Sequence, residues 1–264
     1  MKITLLVDQG AAGKLRSEFG LAFLLESSAG DYLFDTGSES ALLHNLAILN
    51  IPPEKVSKVI LSHGHYDHTG GLAGLSPQAI YCCRDITQKH YSYHGPGDVH
   101  HISMPEASQQ VLKESTIHYI DDFSAIAPGL YLTGPIPRQS FEDCGGKFYH
   151  DCECTLPDTV SGEQALLTAD GVLISGCCHA GIINTLEYCR KIHPEIAIHS
   201  IVGGLHLRNA SPERLQATAE YLQNSGVKTL YLGHCTGRNA IDFMQSALQG
   251  CTVKSPLPGE SWTC

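Results

Sequence analysis

Long apolar runs are missing from this sequence, and their absence argues against a membrane-spanning protein. No stretch of the 264 residues approaches the roughly 20 consecutive apolar residues that a helix needs to cross a bilayer. Residues 1–8 are too short and too soon acidic for a secretory signal, so we expect a first strand there. We therefore expect no membrane partner.

Basic residues are scarce as well. The chain has 17 Lys and Arg against 27 Asp and Glu, a formal net charge of −10. This balance disfavours a nucleic-acid partner, because phosphate backbones attract basic surfaces. A small anionic, phosphorylated substrate is still compatible with it, since a bound dication reverses the sign of the field locally. The sequence leaves a homo-oligomer open.

A regular disulfide framework is also absent. The count of 11 cysteines is odd, and two adjacent pairs, Cys82-Cys83 and Cys177-Cys178, cannot easily form ordinary bridges between their own members. We therefore expect a reduced, cytoplasmic protein. Histidine, by contrast, is abundant at 15 residues, and it is the commonest metal-ligating side chain.

Short apolar strands, each followed by a loop rich in Gly or His, organise the chain. They lie at 32–34, 59–61, 130–132, 172–174, 201–202 and 230–232. Apolar side chains at helical spacing predict helices at 42–49 and 182–189, and Ser211-Pro212-Glu213 predicts the start of another that ends near Gly226. Interleaved strands and helices predict an α/β fold in one domain, 1–264, with a site-lining insertion around 81–138.

The strongest local signal is a run of ligand-type side chains directly after an apolar strand, His63-Gly64-His65-Tyr66-Asp67-His68. Alternation places His63 and His65 on one side of an extended segment, and Asp67 and His68 follow where the chain turns towards a helix. Two imidazoles could hold one ion while the carboxylate and the last imidazole hold a neighbour. That arrangement suits two-metal catalysis at a separation of roughly 3.5–4 Å.

Together with Phe34-Asp35-Thr36-Gly37 on the preceding strand, this His-x-His-x-Asp-His run resembles the hallmark of the metallo-β-lactamase superfamily. The resemblance implies an αββα sandwich, in which two mixed sheets are flanked by helices and the metals lie at one edge. It also implies that Asp35 braces the metal loop. It further implies that His234, in a loop after a strand near the C-terminus, is the last histidine ligand.

One branch of the superfamily is similar over almost the whole chain, the 7,8-dihydropterin-6-yl-methyl-4-(β-D-ribofuranosyl)aminobenzene-5'-phosphate synthases of methanopterin biosynthesis. The pieces that carry this resemblance lie at 19–21, 133–138, 141–142, 163–166, 176–182, 202–207 and 233–237. The departures are small. The branch commonly has Glu, Ser and Phe where this chain has Pro135, Cys178 and Leu205.

His179 is the predicted remaining ligand of the first ion. Many superfamily members carry a bridging aspartate after a strand like 172–174, but here that loop offers Cys177, Cys178 and His179 and no acid. Either His179 takes that role, or the second ion lacks a bridging carboxylate, so one ion or two stays open. We interpret both cysteines as small, inert loop residues.

Catalytic roles are predicted for Asp67, His206 and Arg138. His206 also ends a strand, and we expect it to contact substrate or support a ligand without binding metal itself. Arg138 could bind a phosphate through its planar fork, the alternative being an ordinary surface arginine.

A second, structural zinc site is a weaker hypothesis. It would use His150 with Cys144, Cys152 and Cys154, but Cys-x-Cys spacing is tighter than zinc knuckles usually show.

The predicted chemistry is Lewis-acid catalysis by zinc, with two ions expected and Mn or Fe as alternatives. The synthase branch implies that a dihydropterin methyl diphosphate is joined to an aryl amine with loss of pyrophosphate. The first alternative is a hydrolase, in which a metal-bound hydroxide oriented by Asp67 attacks a phosphoester, ester or lactam. The second is a non-catalytic metal-binding module. A diiron oxidoreductase is disfavoured, because that variant usually has Glu where His65 stands.

Overall fold

Strands and helices alternate along the chain as the sequence predicts, in a computed structural model that describes residues 1–10 and 12–264. The strands of this described part are β1 (Lys2–Val7), β2 (Ala22–Ser27), β3 (Gly30–Phe34), β4 (Lys58–Ile60), β5 (Ala79–Cys82), β6 (Tyr91–Gly95), β7 (Asp98–His101), β8 (Thr116–Tyr119), β9 (Ser124–Ala127), β10 (Leu130–Leu132), β11 (Phe148–Tyr149), β12 (Pro157–Asp158), β13 (Leu166–Thr168), β14 (Val172–Ser175), β15 (Ser200–Gly203), β16 (Thr229–Leu232), β17 (Thr252–Lys254) and β18 (Ser261–Thr263). The α-helices are α1 (Ala41–Ile48), α2 (Tyr66–Thr69), α3 (Glu106–Glu114), α4 (Ile182–Ile192), α5 (Pro212–Asn224) and α6 (Arg238–Ala247).

Hydrogen bonds join most of these strands into two mixed sheets. Over the described residues, the first sheet runs β18-β1-β2-β3-β4-β5-β8 and the second runs β17-β16-β15-β14-β13-β10-β9. The first sheet is antiparallel from β18 to β3 and parallel from β3 to β8. The second is parallel from β17 to β14 and antiparallel from β14 to β9. The prediction of two mixed sheets is confirmed.

The sheets pack face to face through side chains that alternate along each strand. In β14, Val172 and Ile174 lie in the buried cluster between the sheets, whereas Leu173 lies in the cluster beneath the helices. In β3, Phe34 faces the second sheet and Leu33 faces the helix side. Because these strands are apolar on both faces, each sheet needs a helical layer on its outer side.

Helices supply those outer layers. Leu42 and Leu46 of α1 and Leu112 of α3 are buried outside the first sheet, and apolar residues of α4, α5 and α6 are buried outside the second. The predicted αββα sandwich is therefore confirmed. No helix in the ranges 1–10 and 12–264 is long and apolar enough to cross a membrane.

The helices predicted from the sequence are found at α1, α4 and α5. At the start of α5, Ser211 Oγ accepts a hydrogen bond from the backbone N–H of Arg214 at 3.2 Å, and Pro212 occupies the first turn. Gly226 follows the helix with a φ of 85°, a backbone conformation that glycine adopts at little cost.

The region 81–138 is only partly the insertion that the sequence predicts. Its strand β8 pairs with β5, and β9 and β10 extend the second sheet, so these strands belong to the sandwich. They resemble a loop in the sequence because β8 and β9 are short edge strands, with mostly exposed side chains in β8 and mostly half-buried ones in β9. Only β6 and β7 leave the sandwich, and they join β11 and β12 in a small third sheet, ordered β12-β11-β6-β7.

Candidate metal centre

Four loops that follow strands meet at one edge of the sandwich. The loop after β4 carries residues 63–68 and the loop after β14 carries residues 177–179, while the loops after β15 and β16 carry His206 and His234. The second-sheet strands β14, β15 and β16 are parallel to one another, and so are β3, β4 and β5 in the first sheet. Parallel strands present their carboxyl ends on one side, so distant parts of the chain share one pocket there.

Three buried histidines form the first cluster, His63, His65 and His179. His63 Nε2 lies 3.0 Å from His65 Nδ1. The ring centroid of His179 lies 4.9 Å from that of His63 and 4.9 Å from that of His65. Each residue offers a nitrogen within 4.8 Å of the other two, a spacing at which three imidazoles can share one ion.

The second cluster contains Asp67, His68, His234 and Cys177. Asp67 Oδ2 lies 3.2 Å from His234 Nε2 and 3.5 Å from His68 Nε2, and those two nitrogens are 3.1 Å apart. Cys177 Sγ lies 3.2 Å from His68 Nε2. The ring centroids of His63 and His68 are 4.3 Å apart, so the two clusters adjoin.

Asp35, a buried carboxylate outside both clusters, orients the histidine loop. Oδ1 accepts a hydrogen bond from the backbone N–H of Ser62 at 2.7 Å. Oδ2 accepts from Ser62 Oγ and from His68 Nδ1, both at 2.7 Å, and Ser62 Oγ lies 2.9 Å from His63 Nδ1. These bonds place the ring hydrogens of His63 and His68 on Nδ1, so each Nε2 lone pair faces the clusters. Asp35 thus occupies the bracing position that the family resemblance implies.

Buried carboxylates also hold the loop that carries His179. His179 Nδ1 lies 2.8 Å from the carbonyl oxygen of Cys144 and donates to it. Glu163 accepts a hydrogen bond from the backbone N–H of the residue after His179 at 2.7 Å. Glu142 accepts two backbone N–H groups in the first turn of α4 at 2.9 and 3.1 Å. Glu142 and Glu163 belong to the sequence pieces that carry the resemblance to the synthase branch. In the structure they fix the position of the candidate ligand His179.

His234 is held by Asp8, a residue that sequence reasoning missed. Asp8 Oδ2 accepts a hydrogen bond from the backbone N–H of His234 at 3.1 Å. The φ of His234 is 52°, a strained conformation for a residue other than glycine. The Asp8 bond helps to offset that strain. The signal that could have found Asp8 is its place at the end of an apolar strand, as for Asp35.

Burial keeps the first cluster uncharged. Loss of hydration lowers the pKa of His63, His65 and His179 well below the usual histidine value. All three imidazoles are therefore neutral at neutral pH, which is the form that binds metal.

The second cluster favours positive charge. Burial alone would lower the pKa of His68, but the carboxylates of Asp67 and Asp35 outweigh it and raise that pKa well above the usual value. Burial acts to raise the pKa of Asp67, and the imidazoles of His68 and His234 overcome it and hold that pKa well below the usual value. The carboxylate of Asp67 is therefore ionised and faces the Nε2 atoms of His68 and His234.

The donors in both clusters fit bound cations. His179 Nε2 is buried and has no hydrogen-bond partner among the described residues, although its Nδ1 is committed to a carbonyl. In the second cluster, the Nε2 lone pair of His68 faces the Asp67 carboxylate, a contact that needs a proton or a cation between the two atoms. Imidazole, carboxylate and thiol donors suit zinc, and the imidazole and carboxylate donors also suit Mn or Fe.

A cavity of about 960 Å³ opens over both clusters. His65, Asp67 and His234 contribute to its floor. The small third sheet forms part of its wall through Phe148, whose ring meets that of His179 edge to face at 5.2 Å. The part of the predicted insertion that leaves the sandwich, β6 and β7, therefore does line the site.

His206 lies where the sequence predicts, on the cavity wall beside the first cluster. Its ring centroid is 4.3 Å from that of His179. Burial, with a smaller contribution from His234, lowers the pKa of His206 to about 4. A neutral imidazole in this place can hydrogen-bond to a substrate.

Arg138 needs a different interpretation from the predicted phosphate contact. Its guanidinium donates to the carbonyl oxygens of His179, Thr159 and Val160, and Arg138 is not among the described residues that line the cavity. The planar fork fits backbone carbonyls as well as it fits phosphate oxygens. Arg138 therefore positions the His179 loop.

The residues of the weaker zinc hypothesis do not converge. Cys144 Sγ donates to the carbonyl oxygen of Gly146 at 3.3 Å, Cys152 is exposed, and His150 Nε2 lies 3.4 Å from Asp158 Oδ1. In the part of the chain that the structure describes, no group of candidate ligands combines His150 with these cysteines.

Comparison with known proteins agrees with this geometry. The model of the metallo-beta-lactamase superfamily matches residues 16–234. The 7,8-dihydropterin-6-methyl-4-(beta-D-ribofuranosyl)-aminobenzene-5'-phosphate synthase of Methanocaldococcus jannaschii is 31% identical over 251 residues, which cover 85% of this chain and 83% of the relative.

Comparison with solved structures also finds matches with the same fold. The crystal structure of a metal-dependent hydrolase of the beta-lactamase superfamily matches with a TM-score of 0.87 at 28% identity, over 100% of this chain and 99% of the other. Human tRNase Z, short form, matches with a TM-score of 0.55 at 15% identity over 100% and 99% of the two chains, which shows the shared fold alone. The chain belongs to the metallo-beta-lactamase superfamily, in the branch that includes the Methanocaldococcus jannaschii synthase.

Proposed function

We propose that this chain is a two-metal enzyme that joins a dihydropterin methyl diphosphate to an aryl amine that carries a phosphorylated sugar. The observation that carries the proposal is the cavity itself. It places aromatic rings and cationic side chains around two adjoining ligand clusters. The name of the relative that is 31% identical supports the choice of substrates.

The residues that would hold the ions follow from the clusters. His63, His65 and His179 would hold one ion, and Asp67, His68 and His234 the other, most simply zinc. When bound, such ions supply Lewis acidity that stabilises the negative charge of a departing pyrophosphate.

Aromatic side chains suit the ring systems of both substrates. Phe19, Tyr93 and Phe148 line the cavity, and the Phe148 centroid lies 5.4 Å from that of His65. Stacked or edge-to-face contacts with flat rings add about 0.5–1.5 kcal/mol each beyond the burial of surface. Such contacts would hold a pterin ring close to the first cluster.

Cationic side chains suit the phosphate groups. Arg208, Arg214 and Lys147 line the same cavity in a chain whose net charge is −10. Arg214 is only 8% exposed, and its Nε and Nη2 atoms have no hydrogen-bond partner within residues 1–10 and 12–264. Its Nη1 already donates to the Asp143 carboxylate, so two of its nitrogens, Nε and Nη2, have donors available for an anion. We assign it to a substrate phosphate.

The bond changes are simple and need no protein nucleophile. The amine nitrogen forms a bond to the pterin methyl carbon, the carbon–oxygen bond to the diphosphate breaks, and the amine nitrogen releases a proton. His206 lines the cavity and is neutral above a pKa of about 4. Its ring can therefore accept a hydrogen bond from the amine while the new bond forms.

A hydrolase is the second candidate, because the structure that matches with a TM-score of 0.87 is described as a metal-dependent hydrolase. In that case water replaces the amine as acceptor in the same cavity. Both reactions release a phosphate-containing leaving group, so leaving-group release alone does not separate them.

The acceptor, aryl amine or water, distinguishes the synthase from the hydrolase. Zinc-loaded protein is incubated with the pterin methyl diphosphate, with and without the aryl amine, and both pyrophosphate and coupled product are measured. We expect coupled product in step with pyrophosphate when the amine is present, and little pyrophosphate without it. Equal pyrophosphate release in both reactions, with hydroxymethyl pterin as the product, would establish the hydrolase. Chelator-treated protein is the control, and it should be inactive in both.

A further inference from the structure

Cys177 belongs to the second cluster and also approaches His179 of the first. Its Sγ is 3.2 Å from His68 Nε2, and it falls within 4.8 Å of ligand atoms of the second cluster and, in a separate group, of His179 and His206. The side chain is buried, with 3% of its surface exposed. In the described part of the chain, Cys177 supplies the only sulfur in these groups of candidate ligands.

We infer that Cys177 is a thiolate ligand shared by the two ion positions, in a loop that offers no carboxylate for that place. The inference rests on the proposed two-metal centre and deepens it. Metal binding would release the thiol proton to solvent, as it does at other cysteine ligands.

Close packing fixes where this thiol lies. A Cβ atom on Gly176 would lie 2.1 Å from Ser62 Oγ and 2.9 Å from Asp35 Oδ2, so only glycine lets the loop approach the Asp35 brace. From the other side, the thiol of Cys235 donates to the carbonyl oxygen of Cys177 at 3.4 Å. The backbone of Cys177 is therefore held between the two sheets.

The thiol of the adjacent Cys178 points away from both clusters. Cys178 Sγ lies 3.7 Å from Thr185 Oγ1 and belongs to the apolar cluster outside the second sheet. The two adjacent thiols thus lie in different environments, Cys177 beside the candidate ligands and Cys178 in the apolar core. Cys178 is a matched control for Cys177, because both are buried and both sit in the same loop.

A shared thiolate narrows the choice of metal. Soft sulfur ligands favour zinc, ferrous iron and cobalt over manganese and magnesium, which prefer oxygen. The proposed centre should therefore retain zinc in the presence of excess manganese, and the Cys177→Ser variant should lose much of that preference.

X-ray absorption spectroscopy of the zinc-loaded full chain, prepared without oxygen, tests the inference. We expect sulfur at about 2.3 Å from zinc, beside nitrogen and oxygen at about 2.0–2.2 Å. The sulfur signal should vanish in Cys177→Ser and Cys177→Asp and persist in Cys178→Ser. Cys177→Asp should keep two ions per chain, because a carboxylate can take the same place.

Each alternative outcome is distinct. Two bound ions with only nitrogen and oxygen neighbours would overturn the thiolate ligand and leave the two-metal enzyme standing. A sulfur signal that survives in Cys177→Ser but disappears in Cys235→Ser would identify Cys235 as the sulfur ligand. That result would also overturn the inference. A wild-type chain that binds no metal would overturn both this inference and the proposed function.

Discussion

Asp35 shows how one side chain outside the clusters can fix the ligands inside them. Its two oxygens accept three hydrogen bonds, one of them from His68 Nδ1. All three partners donate, so the site needs a carboxylate and not an amide. Asp31, on the same strand, lies 3.6 Å from Lys55 at the partly exposed surface and has no such role.

Asp35→Asn tests this bracing. The amide would turn a donor towards a donor, and the orientation of His68 and Ser62 would be lost. We expect metal affinity to fall about 10–100-fold, the usual effect of losing a partner of a ligand, as measured by competition with a zinc chelator. Asp31→Asn is the control and should bind zinc as the unmodified chain does. Equal affinity in both variants would show that Asp35 does not orient the ligands.

His65→Ala tests the first cluster directly. We expect loss of the ion held there and loss of turnover, because only two imidazoles would remain around that position. Metal analysis per chain and the coupling assay give the readout. His44→Ala is the control, since His44 lies on α1 outside both clusters and its Nε2 lies 2.9 Å from the carbonyl oxygen of Lys14. Full activity in His65→Ala would contradict the assignment.

His206 should make the metal-free protein sensitive to acid. In the unfolded chain its imidazole takes up a proton below about pH 6.5, whereas in the folded chain it stays neutral down to a pKa of about 4. Between these values the unfolded state binds more protons, so stability falls as the pH falls.

The variant His206→Asn should remove the part of the acid-induced loss of stability that is due to His206. We expect the fall in the free energy of unfolding between about pH 7.5 and about pH 5 to shrink by about 1–2 kcal/mol. Urea titrations of chelator-treated protein at both pH values measure it. An unchanged fall would mean that His206 titrates in the folded protein as it does in the unfolded one.

At the scale of elements, the loop after β14 is positioned by side chains far from it in sequence. Arg138 and Glu163 both bond to its backbone. The cavity, by contrast, takes its exposed arginine from the loop after β15, where Arg208 donates to the carbonyl oxygen of His234 at 3.0 Å.

Two arginine variants separate these roles. Arg138→Met leaves backbone carbonyls without donors, and we expect it to lower the free energy of unfolding by about 1–3 kcal/mol with little change in the KM for phosphorylated substrate. Arg208→Met should raise that KM about tenfold or more, the equivalent of one lost charged hydrogen bond. Its loss of stability should be smaller than that of Arg138→Met, because the exposed Arg208 donates to one backbone carbonyl and Arg138 to three. The reverse pattern would restore the phosphate contact first predicted for Arg138.

The predictions that succeeded rest on local patterns. The strand at 172–174 follows from a short apolar run before a Gly-rich loop, and the helix that starts at Ser211 follows from its capping residues. The run from His63 to His68 supplies two residues to each cluster. The resemblance to a family supplied the sandwich and directed attention to His234, which lies in the second cluster and whose role as a ligand stays a prediction. Such signals occur within a few neighbouring residues, so they can be recognised without the tertiary structure.

What could not be predicted depends on tertiary contacts. The edge strand β8 has mostly exposed side chains, so its pairing with β5 leaves no periodic pattern in the sequence. Cys177 and Cys178 are identical in type and adjacent, and only the direction of the backbone decides which thiol meets His68. Arg138 could have bonded to phosphate or to carbonyls, and the sequence contains both options.

At the scale of the molecule, each proposed ion links the two sheets. His63 and His65 follow a strand of the first sheet, whereas His179 follows a strand of the second. The same holds for the second cluster, where His234 comes from the second sheet and Asp67 from the first. An ion bound by ligands from both sheets requires the folded arrangement, so binding free energy becomes folding free energy.

Thermal unfolding should therefore depend on zinc. Free zinc at about 100 times its dissociation constant stabilises a one-site protein by about 2.7 kcal/mol, which for a chain of about this size raises the Tm by roughly 5–10 °C. The first ion needs ligands from both sheets. His65→Ala, after a strand of the first sheet, and His179→Ala, after a strand of the second, should therefore lose the same part of the zinc-dependent rise in Tm. If only His65→Ala lost it, the first ion would belong to one loop, and the site would not join the sheets. Scanning calorimetry over a series of buffered zinc concentrations measures the dependence for each variant.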